Sequence, residues 1–169
     1  MRTILQWLAR RRVALGFVAG ALAIWLSRPT GRSLAIGAVV AMAGELIRIW
    51  AAGHLEKGRE VTTSGPYRFV RHPLYAGSTI MGLGFALASA SWIVAMLVAL
   101  YLALTLSAAI AAEEAHLTRK FGAAYPAYRN GRAVGVARRF SLARAIRNRE
   151  YRAVIGLGAA LALLAWKTL

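Results

Sequence analysis

The sequence predicts an all-α fold: an integral membrane helical bundle with about five transmembrane helices. Three observations lead there. The 169-residue chain is 59% hydrophobic yet has a net charge of +16. Its apolar residues gather into long runs of membrane-crossing character. Its basic residues crowd into alternate loops between those runs. A soluble nucleic-acid binder carries such a charge but is rarely so apolar, and no stacking aromatics interleave the arginines. No nucleic-acid partner is expected. Cysteine is absent, which removes disulfides, thiolate metal sites and cysteine nucleophiles, and no metal site is expected. Aspartate is absent too, so any carboxylate chemistry falls to Glu45, Glu56, Glu60, Glu113, Glu114 and Glu150.

Five runs give the elements in order. Val13–Leu26 follows Arg10, Arg11 and Arg12 in the manner of a signal peptide. The residues after it lack a small-residue cleavage pattern, so it is expected to be a retained helix. Ser33–Ala52 and Trp92–Ala112 meet the length of about 20 residues needed to cross the hydrocarbon core. Leu74–Ala90 just reaches the lower limit. Ala153–Trp166 and the first run are short, and cross with help from flanking residues or lie partly in the interface. Leu74–Ala90 and Trp92–Ala112 are joined by almost no loop and form a tight hairpin. Gly77, Gly82 and Gly84 put small residues on one side of the third helix, which suits close helix approach or a ligand.

Charge sets the orientation. Basic residues precede the first run (Arg2, Arg10, Arg11, Arg12) and separate the second from the third (Lys57, Arg59, Arg68, Arg71). More lie between the fourth and fifth, from Arg119 to Arg152. The opposite loops hold only Arg28 and Arg32. The positive-inside rule therefore places the N-terminus, the 53–73 loop and the 113–152 segment in the cytoplasm. Residues 1–169 form a single membrane domain. Within it, 1–52 is an N-terminal helix pair, 53–140 a core with two polar segments on one membrane face, and 141–169 an amphipathic segment with the last helix. The Arg138–Arg152 stretch mixes basic and apolar residues as a surface helix on anionic lipid head groups does.

The two polar segments hold the candidate chemistry. In Ser64-Gly-Pro-Tyr-Arg-Phe-Val-Arg-His-Pro-Leu-Tyr-Ala-Gly77, Pro66 and Pro73 interrupt any helix, and Pro73 suits the first turn of the next one. His72 then sits at a helix N-terminus, where free N–H groups attract anions, and Arg71 adds charge. Tyr75 offers an aromatic wall and Gly77 room for close approach. In the second segment, Glu113 and Glu114 point about 100° apart on a helix, so they cannot share one task. Leu117 and Phe121 extend the Glu113 face, which makes Glu113 the better pocket-facing acid. Glu45 and Arg48, three residues apart inside the second helix, are spaced for an ion pair or for a pocket role.

Gly65-Pro-Tyr-Arg-x-x-Arg-His-Pro-x-Tyr-x-Gly77, Gly82-x-Gly84 and Glu113-Glu-x-x-Leu-x-x-x-Phe-Gly-x-x-Tyr-x-x-Tyr128 together resemble the isoprenylcysteine carboxyl methyltransferase and phospholipid methyltransferase superfamily. The likeness covers roughly residues 53–140. It implies an integral membrane enzyme that uses S-adenosylmethionine, bound from the cytoplasmic side. It points to Val61, Thr62, Tyr67, His72, Tyr75 and Glu113 for the cofactor, with Arg71 able to hold a carboxylate and Gly77 and Gly84 giving room. Glu114 and His72 are the candidate proton acceptors should the methyl acceptor be an amine. Carboxyl-methylating relatives often carry an arginine one turn before the glutamate pair, where this chain has Ala109. The implied acceptor is therefore a membrane lipid or other lipophilic molecule methylated on an amine, carboxylate or thiol. The alternatives are a nicotinamide-dependent (NADPH) membrane lipid or sterol-type reductase, whose relatives share the Arg-His-Pro-x-Tyr element, and a non-catalytic membrane scaffold.

Overall fold

The computed structural model describes residues 16–132 and 138–169, and every regular element among them is helical. The arginines expected to flank the first helix, Arg2 and Arg10 to Arg12, lie outside the described residues. The helices are α1 (Gly16–Leu26), α2 (Gly31–His54), α3 (Pro73–Ser89), α4 (Trp92–Phe121), α5 (Ala124–Arg129), α6 (Leu142–Arg147) and α7 (Tyr151–Trp166). A short 3₁₀ turn covers Gly65–Arg68.

Among the described residues two helices, α2 with 24 residues and α4 with 30, are long and apolar enough to cross a membrane. Thr30 opens α2: its hydroxyl accepts from the Ser33 N–H while the Ser33 hydroxyl accepts from the Thr30 N–H, a reciprocal cap. At about 1.5 Å per residue α4 spans about 45 Å, well beyond a hydrocarbon core of about 30 Å. Its apolar part starts at Trp92, so Glu113 falls about 32 Å along the axis, just past the far edge of such a core. That is why the sequence-expected run ends near Ala112 while the helix continues to Phe121.

α2 and α3 run antiparallel and in intimate contact. Gly37 faces Gly84 and Ala88, Gly44 faces Gly77 and Met81, and Arg48 reaches the Leu74 carbonyl and the Ser78 hydroxyl. Ala90, in the left-handed conformation at φ 47°, ends α3 and turns the chain directly into α4. On its other side α3 meets α4, where Gly82 lies against Val98 and Leu102. Arg48 also pairs with Glu150 at the start of α7 (2.7 Å) and with Glu45 (3.6 Å), so this cluster ties three helices together. It takes the structural role that its spacing allowed.

The bundle has two distinct ends. At one, Lys167 donates to the carbonyls of Ile24, Trp25 and Ser27 at the close of α1, and the Arg28 N–H donates to the Ser89 carbonyl. Trp25, Trp92 and Trp166 all project outward there, each more than 70% exposed. At the other end lie the C-termini of α2 and α4, the N-termini of α3 and α7, and both polar segments, with Trp50 and Tyr151 half exposed beside them. Between the two levels the outer surface is apolar, with Val39, Leu46, Leu100, Leu104 and Ile155 open. An apolar belt bordered by aromatic rings is the surface that a bilayer demands.

Candidate cofactor site

Between the 55–62 loop, the start of α3 and the end of α4 lies a cavity of about 530 Å³. Each wall follows from local sequence. Gly65 starts the 3₁₀ turn at φ +59°, and a Cβ there would stand 2.5 Å from the His54 ring. Only glycine satisfies both the backbone and that contact. His54 is itself fixed, its Nδ1–H donating to the Trp50 carbonyl at 2.9 Å. The turn buries Pro66 and sends Tyr67 inward. Pro73 then begins α3 at its first position, with His72 as N-cap and no side chain capping the first-turn N–H groups.

Val61, Thr62, Tyr67, Arg71, His72, Tyr75 and Glu113 all border this one cavity. The sequence-expected residues from both polar segments thus converge. Thr62 also accepts from the Glu56 N–H at 3.2 Å, closing the 55–62 loop on itself. Burial, with Glu113 nearby as the next cause, raises the Tyr67 hydroxyl pKa well above its ordinary value, so Tyr67 stays a neutral donor. Ala109 is in the lining as well, in place of the arginine of carboxyl-methylating relatives.

Glu114 has a different role from Glu113. It does not border the cavity. His72 Nε2 donates to its Oε1 at 3.1 Å, and Arg71 lies 3.7 Å away. The two candidate proton acceptors therefore hold each other, and His72 carries the pair to the cavity wall. Tyr125, only 2% exposed, stands beside Glu114, and burial together with that carboxylate pushes its pKa up to about 12.

Two expectations need correcting. Gly77 and Gly84 were expected at the cofactor, but both face α2. A Cβ on Gly77 would meet the Gly44 carbonyl at 2.7 Å and one on Gly84 the Ala41 nitrogen at 2.3 Å. Their glycine identity serves helix approach. The Arg138–Arg152 stretch was expected to be an amphipathic surface helix. Its helix α6 has only 6 residues, and Arg138 and Arg144 turn inward to Glu56 and Glu60, while the largely exposed Arg147 reaches Glu56 from the surface.

The cavity has further lining residues to which the sequence assigns no place in the site. Leu55, Glu56 and Glu60 line the cavity from the loop, and His116, Tyr125 and Tyr128 from the far side. The Tyr128 hydroxyl donates to the Tyr67 carbonyl at 2.7 Å, pinning the 3₁₀ turn to α5. The available signal for the two tyrosines was their place in the Phe-Gly-x-x-Tyr-x-x-Tyr pattern.

This geometry defines a helical bundle with two helices long and apolar enough to cross a membrane and, at one end, an aromatic-walled cavity that carries a few convergent polar groups. Residues 12–124 match the family model described as phospholipid methyltransferase, and the chain belongs to that family. It is 34% identical over 99 residues to the protein-S-isoprenylcysteine O-methyltransferase of Schizosaccharomyces pombe, a match covering 59% of this chain and 42% of that protein. It is also 32% identical over 99 residues to the nickel-cobalt-cadmium resistance protein NccN of Alcaligenes xylosoxydans xylosoxydans, covering 57% of this chain and 45% of that protein. Each match thus spans less than half of the relative's length. No solved structure gives a significant match.

Proposed function

We propose that this methyltransferase-family protein moves a methyl group from S-adenosylmethionine to a lipophilic acceptor, working as a multi-pass membrane enzyme with its cavity on the cytoplasmic side. The observation that carries the reading is the convergence of both polar segments on one cavity. Its volume lies within the range of about 300–1,000 Å³ usual for small-molecule sites. Its lining suits a zwitterionic nucleoside cofactor: an apolar and aromatic wall, an acid in Glu113 that forms no ion pair among the described residues, and a cation in Arg71 next to an uncapped helix start. The concentration of basic residues at that end supports the cytoplasmic orientation. The aromatic rings at both levels support crossing by α1, α3 and α7 beside α2 and α4.

When bound, the cofactor supplies an activated methyl group on its sulfonium sulfur, so no protein nucleophile is needed. Glu113 accepts hydrogen bonds from hydroxyl or ammonium groups at the wall. Arg71 and the α3 N–H groups would hold the cofactor's carboxylate. Tyr67, Tyr75 and Phe121 give flat surfaces that exclude water and fix orientation, which is the main task in such a transfer. His72, with Glu114 fixing its ring, is placed to take a proton from an amine acceptor. With Ala109 in the wall there is no arginine at that position for an acceptor carboxylate, which leans the choice toward an amine or thiol. A family of methyltransferases favours this reading over the reductase alternative. Calorimetry on the purified chain tests it: S-adenosylmethionine is expected to bind, and Glu113→Ala to weaken binding roughly tenfold to a hundredfold, the scale of hydrogen bonds to a charged group. No binding by the unaltered chain, or an unaffected Glu113→Ala, overturns the proposal.

A further inference from the structure

The 55–62 loop forms one wall of the cavity, yet it contains no regular element. It is held instead by residues 138–148, a segment beyond the region that matches the family model. Glu56 is the centre. Arg144 Nε donates to its Oε1 at 2.7 Å, with Arg147 at 3.4 Å and Arg138 at 3.7 Å on the same oxygen. Arg138 also pairs with Glu60 at 2.8 Å. The Arg144 hydrogen bond, the largest cause, holds the Glu56 carboxyl below its usual pKa, so it stays ionised.

The same segment caps the C-terminus of α2, from which the loop departs. Asn148 donates to the carbonyls of Ala52 and Leu55, each at 2.9 Å, and Arg144 and the Ser141 N–H both reach the Gly53 carbonyl. The Phe140 ring packs against Gly53, where a Cβ would stand 2.2 Å from it. Helix-end carbonyls without intrahelical partners and a lone carboxylate are what guanidinium and amide donors satisfy best.

We infer that Arg138 and Arg144, acting through Glu56 and Glu60, are positioning residues that set the loop wall of the cavity and so control cofactor affinity. The inference rests on the proposed use of this cavity. Glu56, Glu60, Val61 and Thr62 all border the cavity, whereas the arginines that hold the two acids do not, so the clamp fixes this wall from behind. Releasing Glu56 and Glu60 frees that wall while Glu113, His72 and Tyr75 stay on their own helices. The expected signature is a weaker hold on cofactor with less effect on turnover at saturation.

The test measures S-adenosylmethionine binding by calorimetry on the full chain in detergent, and KM against kcat with any acceptor that supports turnover. Glu56→Gln and Arg144→Gln are each expected to weaken binding roughly tenfold, and the double variant little more, since one contact is lost either way. Arg144→Lys, which keeps charge and one donor, is expected to recover part of the loss. Thr30→Ala removes the cap at the opposite end of α2. It is expected to lower the unfolding temperature while leaving affinity unchanged, which separates positioning from general destabilisation. If Arg144→Gln fails to fold, Arg138→Gln decides together with Glu56→Gln, because Arg138 pairs with both Glu56 and Glu60 from outside the cavity lining. Unchanged affinity in Glu56→Gln, with the unaltered chain binding and Glu113→Ala impaired, overturns the clamp and leaves the proposed function standing. No binding by the unaltered chain overturns both.

Discussion

Along most of its length α3 lies so close to α2 that a methyl group added at Gly84 would stand 2.3 Å from a backbone nitrogen, whereas in its first turn Pro73, Leu74 and Tyr75 border an open cavity. The two regions solve opposite problems. In the bilayer, helices gain no hydrophobic drive against one another, so close backbone packing at small residues holds them together. At the end that carries both polar segments, proline and glycine turns keep the backbone from closing up, and buried tyrosines and paired charges hold the gap open. Rigidity in the first region is what lets the second keep an accurate shape.

Filling the packed region is expected to have the largest effect. At Gly84 an added Cβ meets the Ala41 backbone and the Gly37 carbonyl at 2.3–2.7 Å, and no flexible side chain is available to move aside. Gly84→Val is expected to cost about 3 kcal/mol or more, as overpacking between rigid backbones does. Denaturant unfolding in detergent checks this. Gly156→Ala serves as the contrast, because no described residue lies within 4 Å of its added Cβ, and it is expected to be near neutral. Equal losses at the two positions would remove the distinction between the regions.

This comparison also explains what the sequence could reveal. Helix order, the tight α3–α4 hairpin and the shared end of the two polar segments were legible, because run lengths and charge asymmetry are read directly from residue order. Seven of the expected residues meet at the cavity because proline, glycine and aromatic positions fix the local turns that aim them. Gly77 and Gly84 were misjudged since glycine spacing looks the same whether the backbone approaches a ligand or another helix. Arg144 was misjudged for a different reason. Its partner Glu56 is 88 residues away, and an arginine-rich stretch has the same composition on a lipid surface as in an internal clamp. Such long-range pairing has no local signature.

A smaller effect is expected at the edge of the cavity, where Glu114 and His72 meet. The Glu114 side chain is about a quarter exposed, so the pair belongs at the lower end of the range for charged hydrogen bonds, about 1.5 kcal/mol. Glu114→Gln and His72→Ala are each expected to reduce methyl transfer more than they reduce stability. In a double-mutant cycle the two losses should overlap strongly, because each removes the same contact. Independent, additive losses would mean that Glu114 does not act through His72, and would move it out of the site.

The smallest expected change tests how the two regions join. The Tyr128 ring lines the cavity beside Tyr125, and its hydroxyl donates at 2.7 Å to the Tyr67 carbonyl, fastening the 3₁₀ turn to the α5 side of the cavity. Tyr128→Phe keeps the ring and its packing and removes only that donor. Stability is expected to fall by about 1 kcal/mol, the net worth of one partly buried hydrogen bond. Because the lost bond spans the cavity rather than the helix interface, cofactor affinity should fall roughly fivefold, the same free energy expressed in binding. A drop in stability with unchanged affinity would mean that the Tyr67 turn keeps its place without Tyr128, and that the α2–α3 contact alone is enough to hold the cavity's shape.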